Sequence, residues 1–374
     1  MRIKQWMAVV FLATAISPMT AMAATEGAEK SPRIVGGGFA PISDAPWQVF
    51  LEVGNFVCGG AIISNDYVLT AAHCVEGASA SNITVYAGIE DLNDLNGNGI
   101  AVSSVLSNPN YNSSSLTADV SLIQLAGALP SNAKPIQLVD ASEQADLDNE
   151  FAVAEDQNLY VSGWGETFTN SSISRYLKRT YLDGVSDTTC GWTRSGGGVV
   201  QAFADAFICA NDPLVPTGIC SGDSGGPLVW QDPNHAADAD KGYRLVGLVS
   251  FSSTDGCALT GIEDGFTQLS TYRDWISNNM NGGYLNPNVS FDADIFDASR
   301  TYTPPADIPT VTPPVNDTPT TPTTPATPAT PATPATPATP ATSGGGGGAI
   351  SLFALVLLSF LLGFSIYSRR RFLS

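Results

Sequence analysis

The stretch Gly222-Asp223-Ser224-Gly225-Gly226-Pro227 places one serine in a turn that glycine dominates. A serine hydroxyl is inert near neutral pH unless a neighbouring base takes its proton. Glycines around it let the backbone turn tightly and aim N–H groups at a developing oxyanion. The chain holds only two histidines that could act as the base, His73 and His235. His235 sits in Asp232-Pro233-Asn234-His235-Ala236, which reads as a solvated acidic turn. His73 closes the apolar run Leu69-Thr70-Ala71-Ala72-His73-Cys74, so the base falls to it; a satisfied core histidine is the bland alternative.

Outward from these residues the chain is rich in short β-type runs. They are Trp47–Val53, Ala61–Ile63, Tyr67–Ala71, Ile83–Ala87, Ala101–Leu106, Val120–Leu125, Leu159–Val161, Leu228–Trp230 and Tyr243–Ser250, parted by Gly, Asn, Asp and Pro. Runs of that length and spacing predict an all-β sandwich or barrel. One late segment, Tyr272–Met280, reads as a closing helix. The 374 residues carry 35 acidic against 16 basic side chains, a net charge of −19. A nucleic-acid partner is excluded, because phosphate binding needs a basic face.

A third motif, Ala118-Asp119-Val120-Ser121-Leu122, lies between the histidine and serine motifs. In this order the three resemble the chymotrypsin/trypsin family of serine proteases, and the resemblance runs from Ile34-Val35-Gly36-Gly37 to about residue 281. It implies two packed antiparallel β-barrels with a short C-terminal helix, and a secreted endopeptidase acting on peptide bonds. Ser224 would be the nucleophile and His73 its base. Asp119 would orient His73 and stabilise its imidazolium; a surface-turn aspartate is the alternative. Backbone amides of Gly222 and Ser224 would form the oxyanion hole. In the family, Ser250 also hydrogen-bonds the aspartate. The template pairs the cysteines as Cys58–Cys74, Cys190–Cys209 and Cys220–Cys257. The absence of C-x-x-C spacing argues against metal ligation by cysteine.

Lys30-Ser31-Pro32-Arg33 resembles a zymogen activation site. An activating protease cutting after Arg33 would free the Ile34 ammonium, which in the family pairs with the aspartate before the nucleophile, here Asp223. The family's substrate-binding positions fall on Gly218, Ser250, Ser252 and Asp264. Trypsin-like enzymes carry an aspartate at the position of Gly218, so the usual cation receptor is missing. Asp264 stands instead where relatives commonly have a pocket-wall glycine, an arrangement similar to crustacean collagenolytic proteases. Cleavage after Arg or Lys with broader tolerance is the expectation; elastase- or chymotrypsin-like cleavage, with Asp264 on a surface loop, is the alternative. A non-catalytic binding module on the same fold is another.

Both ends read as sorting information. Residues 1–23 combine Arg2 and Lys4, an apolar run and Ala21-Met22-Ala23, a secretory signal peptide; residues 24–33 follow as the activation peptide. Residues 282–343 are assigned to a Thr/Pro/Ala-rich stalk that closes in six Pro-Ala-Thr units. About 40 such residues at ~3.1 Å each would reach on the order of 120 Å. Residues 344–374 hold five glycines, the apolar stretch Ala349–Tyr367 and Arg369, Arg370 and Arg371. That stretch just suffices to cross a hydrocarbon core. The order resembles the bacterial GlyGly-type C-terminal sorting signal, which implies secretion and sorting machinery and a Gram-negative-type surface; an ordinary tail anchor is the alternative. Asp94-Leu95-Asn96-Gly97-Asn98-Gly99 matches the front of a calcium loop, with Glu90 and Asp91 nearby, but Val105 stands where its glutamate belongs. No cofactor is expected, with calcium against a solvated turn as the one option.

Overall fold

The computed structural model describes residues 34–153, 157–190, 193–194, 198–199, 205–282 and 286–306. The expected signal peptide, activation peptide with Arg33, and glycine–helix–arginine segment lie outside the described residues, as does the stalk from residue 307.

Runs of Val, Ile, Leu and aromatic residues favour a pleated, half-buried surface. Here they build a first closed barrel from β1 (Gln48–Val53), β2 (Phe56–Ile62), β3 (Tyr67–Thr70), β4 (Ile83–Ala87), β5 (Ile100–Ser107) and β6 (Ser121–Leu125). The order is β1-β2-β3-β6-β5-β4, and β4 returns to β1 with Val49 opposite Ala87. Val49, Leu51, Ile62, Val68, Val85 and Ile123 fill its interior without exposure.

The second barrel comprises β7 (Leu159–Gly163), β8 (Lys178–Val185), β9 (Phe207–Asn211), β10 (Pro227–Gln231), β11 (Tyr243–Phe251) and β12 (Asp264–Gln268). Its order is β8-β9-β12-β11-β10-β7, closed where β7 pairs back to β8 with Val161 opposite Thr180. The expected pair of antiparallel barrels is the fold. β8 and β9 were not among the apolar runs of the sequence, because Lys178, Arg179, Asp183 and Asn211 interrupt their alternation.

Among the described residues three α-helices accompany the barrels. α1 (Ala72–Val75) is a single turn that carries His73. α3 (Leu269–Asn279) is the expected closing helix, starting three residues earlier than the sequence suggested. α2 (Ala141–Phe151) was not anticipated, since only Leu147 among its apolar residues is fully buried. Its signal is local: Asp140 accepts from the amides of Ser142 (2.8 Å) and Glu143 (2.9 Å), and Glu143 returns a bond to the Asp140 amide (2.8 Å). This reciprocal capping box starts a helix without a strong apolar stripe. Among the described residues no helix is long and apolar enough to cross a membrane.

Residues 286–302, expected to open the stalk, instead form a strap packed on the second barrel. Phe291 and Ile295 are buried. Phe291 meets Trp47 edge-on with centroids 5.0 Å apart and packs on Tyr243 at 5.6 Å. The Tyr243 hydroxyl donates to the Ala293 carbonyl (2.9 Å) and accepts from the Ile295 amide (2.8 Å). Arg300 Nη2 bonds Asp44 Oδ1 at 2.9 Å, and Arg179 stacks over Tyr302 at 4.0 Å. The physical reason for the difference is that Val289, Phe291, Ile295 and Phe296 supply the apolar area that the later Thr/Pro/Ala repeats lack. The strap seats at the Tyr243 end of β11, whereas Ser250 lies near the other end. At ~3.3 Å per residue the two are roughly 23 Å apart.

If the strap belongs to the folded unit, Phe291→Ala should lower unfolding free energy by about 3–5 kcal/mol, the usual cost of emptying a buried phenylalanine site. Urea denaturation of the full chain measures it; a loss under about 1 kcal/mol would return these residues to the stalk.

Candidate active site

Asp119 stands where the two barrels meet. Leu116 and Ala118 take positive φ angles of 56° and 54°, and the Tyr272 hydroxyl of α3 accepts from the Ala118 amide at 2.9 Å. The Asp119 side chain is fully buried. Its Oδ1 accepts from the His73 amide (2.8 Å), and its Oδ2 from His73 Nδ1 (2.7 Å) and Ser250 Oγ (2.7 Å). Thr267 Oγ1 donates to the Asp119 carbonyl at 3.0 Å. A neutral imidazole donating through Nδ1 keeps Nε2 as an acceptor. The His73 side chain retains 27% exposure, so that acceptor can reach the cleft.

The Ser224 turn is clamped from both barrels. The Gly59 amide donates to the Ser224 carbonyl at 2.7 Å, and the Gly225 amide to the Val249 carbonyl at 2.7 Å. Gly222 and Gly225 take φ values of +95° and +76°. A Cβ at Gly225 would lie 2.2 Å from Thr70 Oγ1 and 2.7 Å from the Gly59 carbonyl, so nothing larger than glycine fits this approach. The Cys58–Cys74 bridge lies alongside, with Cys74 Sγ 3.5 Å from the Ser224 carbonyl oxygen. Cys190–Cys209 and Cys220–Cys257 are the other two bridges.

Asp223, beside the nucleophile, is fully buried. Its two oxygens accept from the amides of Gly165 (2.8 Å) and Cys220 (3.0 Å). Burial pushes its carboxyl up to about 7 against the opposing pull of those amides. Ile34 is also buried, and Val35 bridges antiparallel to Gly218, whose amide donates to the Val35 carbonyl at 3.1 Å. The described chain thus begins folded into the body beside the Asp223 turn.

Gly218 and Asp264 face each other: a Cβ on Gly218 would come within 2.3 Å of Asp264 Oδ2. That oxygen accepts from the Ile219 amide at 2.9 Å. Asp264 retains only 4% exposure, which rules out the surface-loop placement. Burial first, and the charge of Asp223 second, push its carboxyl up to about 8. Ser250 turns its hydroxyl to Asp119, and Ser252 lies half-buried just beyond β11.

Other singled-out residues lie apart. His235 is bonded to Asp238 at 2.8 Å with 46% side-chain exposure, and Glu143, Asp232 and His235 form a close group that Arg244 enters through Glu143 (2.6 Å). In the suspected calcium loop Asp91 is taken up by Arg175, which holds its carboxyl below the usual range, and Glu90 accepts from the Ile42 amide at 2.9 Å. Sequence reasoning missed Thr267 and Tyr272, which brace Asp119 from the second barrel. Neither belongs to a motif, and only the fold brings them near.

Comparison with known proteins agrees with this geometry. The family model described as Trypsin matches residues 34–276. The chain is similar to human chymotrypsin-like elastase family member 1, at 31% identity over 67% of this chain and 93% of the relative. It is also similar to hypodermin-B of Hypoderma lineatum, at 34% identity over 66% of this chain and 87% of the relative. Two closed barrels and a family match over most of the folded residues place the chain in the trypsin family, as a serine-type endopeptidase.

Proposed function

We propose that Ser224, His73 and Asp119 hydrolyse peptide bonds of protein substrates by acyl transfer. The observation that carries this reading is the 2.7 Å bond from His73 Nδ1 to the buried Asp119, beside a glycine-clamped Ser224. His73 Nε2 takes the Ser224 proton as Oγ bonds the substrate carbonyl carbon. The same proton passes to the leaving amine as the C–N bond breaks. Water then attacks the acyl-enzyme, giving its proton to His73, which returns it to Ser224. Amides of Gly222 and Ser224 donate to the oxyanion, and the Asp119 carboxylate stabilises the imidazolium. Nothing in these steps needs a metal or cofactor.

The facing pair Gly218 and Asp264 supports cleavage after Arg or Lys with room for other side chains, Ser250 and Ser252 bordering the pocket. A second reading, elastase-like cleavage, draws support from Gly218, which provides no carboxylate, and from the names of the elastase relatives.

Activation by cleavage after Arg33 is supported by the burial of Ile34 and of an Asp223 that has only amides as described partners. An α-ammonium at Ile34 would supply the missing cation. Six cysteines in three bridges fit an oxidising, extracellular destination. With the signal-like start and the glycine–helix–arginine end, this supports export to a bacterial surface through sorting machinery.

Ser224→Ala should leave folding intact and lower peptide hydrolysis by several orders of magnitude. Steady-state rates within tenfold of wild type would remove Ser224 from the mechanism.

Arg33→Gln should give a nearly inactive precursor. Without the ammonium, the raised Asp223 carboxyl binds its proton more tightly folded than unfolded. Precursor stability should therefore fall as pH rises from about 4 to 7, more steeply than that of the cut enzyme. Urea midpoints measured across this range check it, and parallel profiles or full activity in the uncut variant would contradict the activation reading.

A chain ending at Ser343 should appear in the medium with none retained on cells. Unchanged retention on fractionation would deny the last segment an anchoring role.

A further inference from the structure

We infer that the pocket formed by Gly218 and Asp264 selects its substrate by protonation: neutral Asp264 admits apolar side chains, and ionised Asp264 admits Arg or Lys. This rests on the reading of that pocket as the primary specificity site and adds a regulation to it.

The geometry sets the condition. Asp264 is almost fully enclosed, and its Oδ2 accepts from one amide, that of Ile219 at 2.9 Å. A carboxylate so enclosed needs a cation or several donors to stay ionised. Among the described residues no Lys, Arg or His forms an ion pair with it. The groups facing it come from four elements. The 218–224 turn brings Gly218, Ile219 and the buried carboxyl of Asp223. β9 places Ala210 opposite it, and β11 places Phe251 against the neighbouring Gly265. The segment at Ala258 adds only apolar atoms next to Gly218. Asp223 is therefore the charged neighbour, and its sign opposes ionisation.

Burial and that neighbour hold the Asp264 carboxyl up at about 8, so the empty pocket is mostly neutral at pH 7. An ammonium pairing with Asp223 would cancel the neighbour's charge but not the burial, which is the larger cause. A guanidinium entering the pocket must meet a carboxylate, so binding it releases the Asp264 proton to solvent. An apolar side chain enters without that release. At low pH the enzyme behaves as elastase-like, and at high pH as trypsin-like. The two specificities are then two protonation states of one pocket.

The test compares two peptides that differ only in Arg or Leu before the scissile bond, using the activated enzyme from pH 5.5 to 9.5. Because kcat/KM reports groups of the free enzyme, and both peptides use the same Ser224 and His73, their ratio cancels the catalytic titration. The Arg:Leu ratio should rise about tenfold per pH unit across the range, Arg cleavage gaining below the ionisation of Asp264 and Leu cleavage falling above it. In Asp264→Asn the ratio should be flat and at least a hundredfold lower at pH 9. Arg cleavage with a ratio constant within twofold across the range would overturn the protonation switch while leaving the pocket assignment standing. Absence of Arg and Lys cleavage at every pH would overturn both.

Discussion

The structure turns on one buried carboxylate. Asp119 comes from the first barrel, just before β6, yet it is held by Ser250 and Thr267 of the second barrel, while Tyr272 of the closing helix holds its neighbour Ala118. A fully buried ion is tolerable only when donors satisfy it. Here His73 supplies two of them, its amide and its ring. Docking the second barrel adds the Ser250 hydroxyl as a third donor, on the same oxygen that takes the imidazole. Separating the barrels would take that donor away and leave the buried charge to His73 alone.

The same logic recurs at Asp223 and Asp264, with a different outcome. Those carboxyls are nearly as enclosed as Asp119 but accept from backbone amides, and burial raises both. A raised acid in a folded core is a receptor awaiting a cation. For Asp223 the proposed cation is the chain's own new terminus; for Asp264 it is the substrate. Three aspartates within one cleft region therefore have three roles, set by what each is given to bond. This contrast depends on burial and partners, since the residue type is constant.

Much of this was legible in the sequence, and the reason differs by feature. The Ser224 and His73 motifs were readable because a glycine turn and a scarcity of histidines leave few alternatives. The facing of Gly218 and Asp264 was readable only through resemblance, since the two are far apart in the chain and meet where Asp264 Oδ2 takes the Ile219 amide. β8 was hidden by Lys178, Arg179 and Asp183, and β9 by its shortness and its polar end at Asn211. α2 was hidden by its weak stripe, although Asp140 and Glu143 carried its start signal. The strap escaped because Val289, Phe291 and Ile295 follow no period, and composition alone joined them to the Thr/Pro/Ala repeats. Its packing shows that the folded unit extends past α3.

The central claim is that Ser224 is a nucleophile made reactive by His73 on Asp119, in a site completed by cleavage after Arg33. The most direct measurement is covalent labelling with a serine-directed phosphonate, read by intact mass and peptide mapping, on the same preparation before and after cleavage at Arg33. The account predicts one adduct, on Ser224, forming rapidly in the cut chain and at least a hundredfold more slowly in the uncut one. An adduct on another serine, or equal rates before and after cleavage, would contradict it.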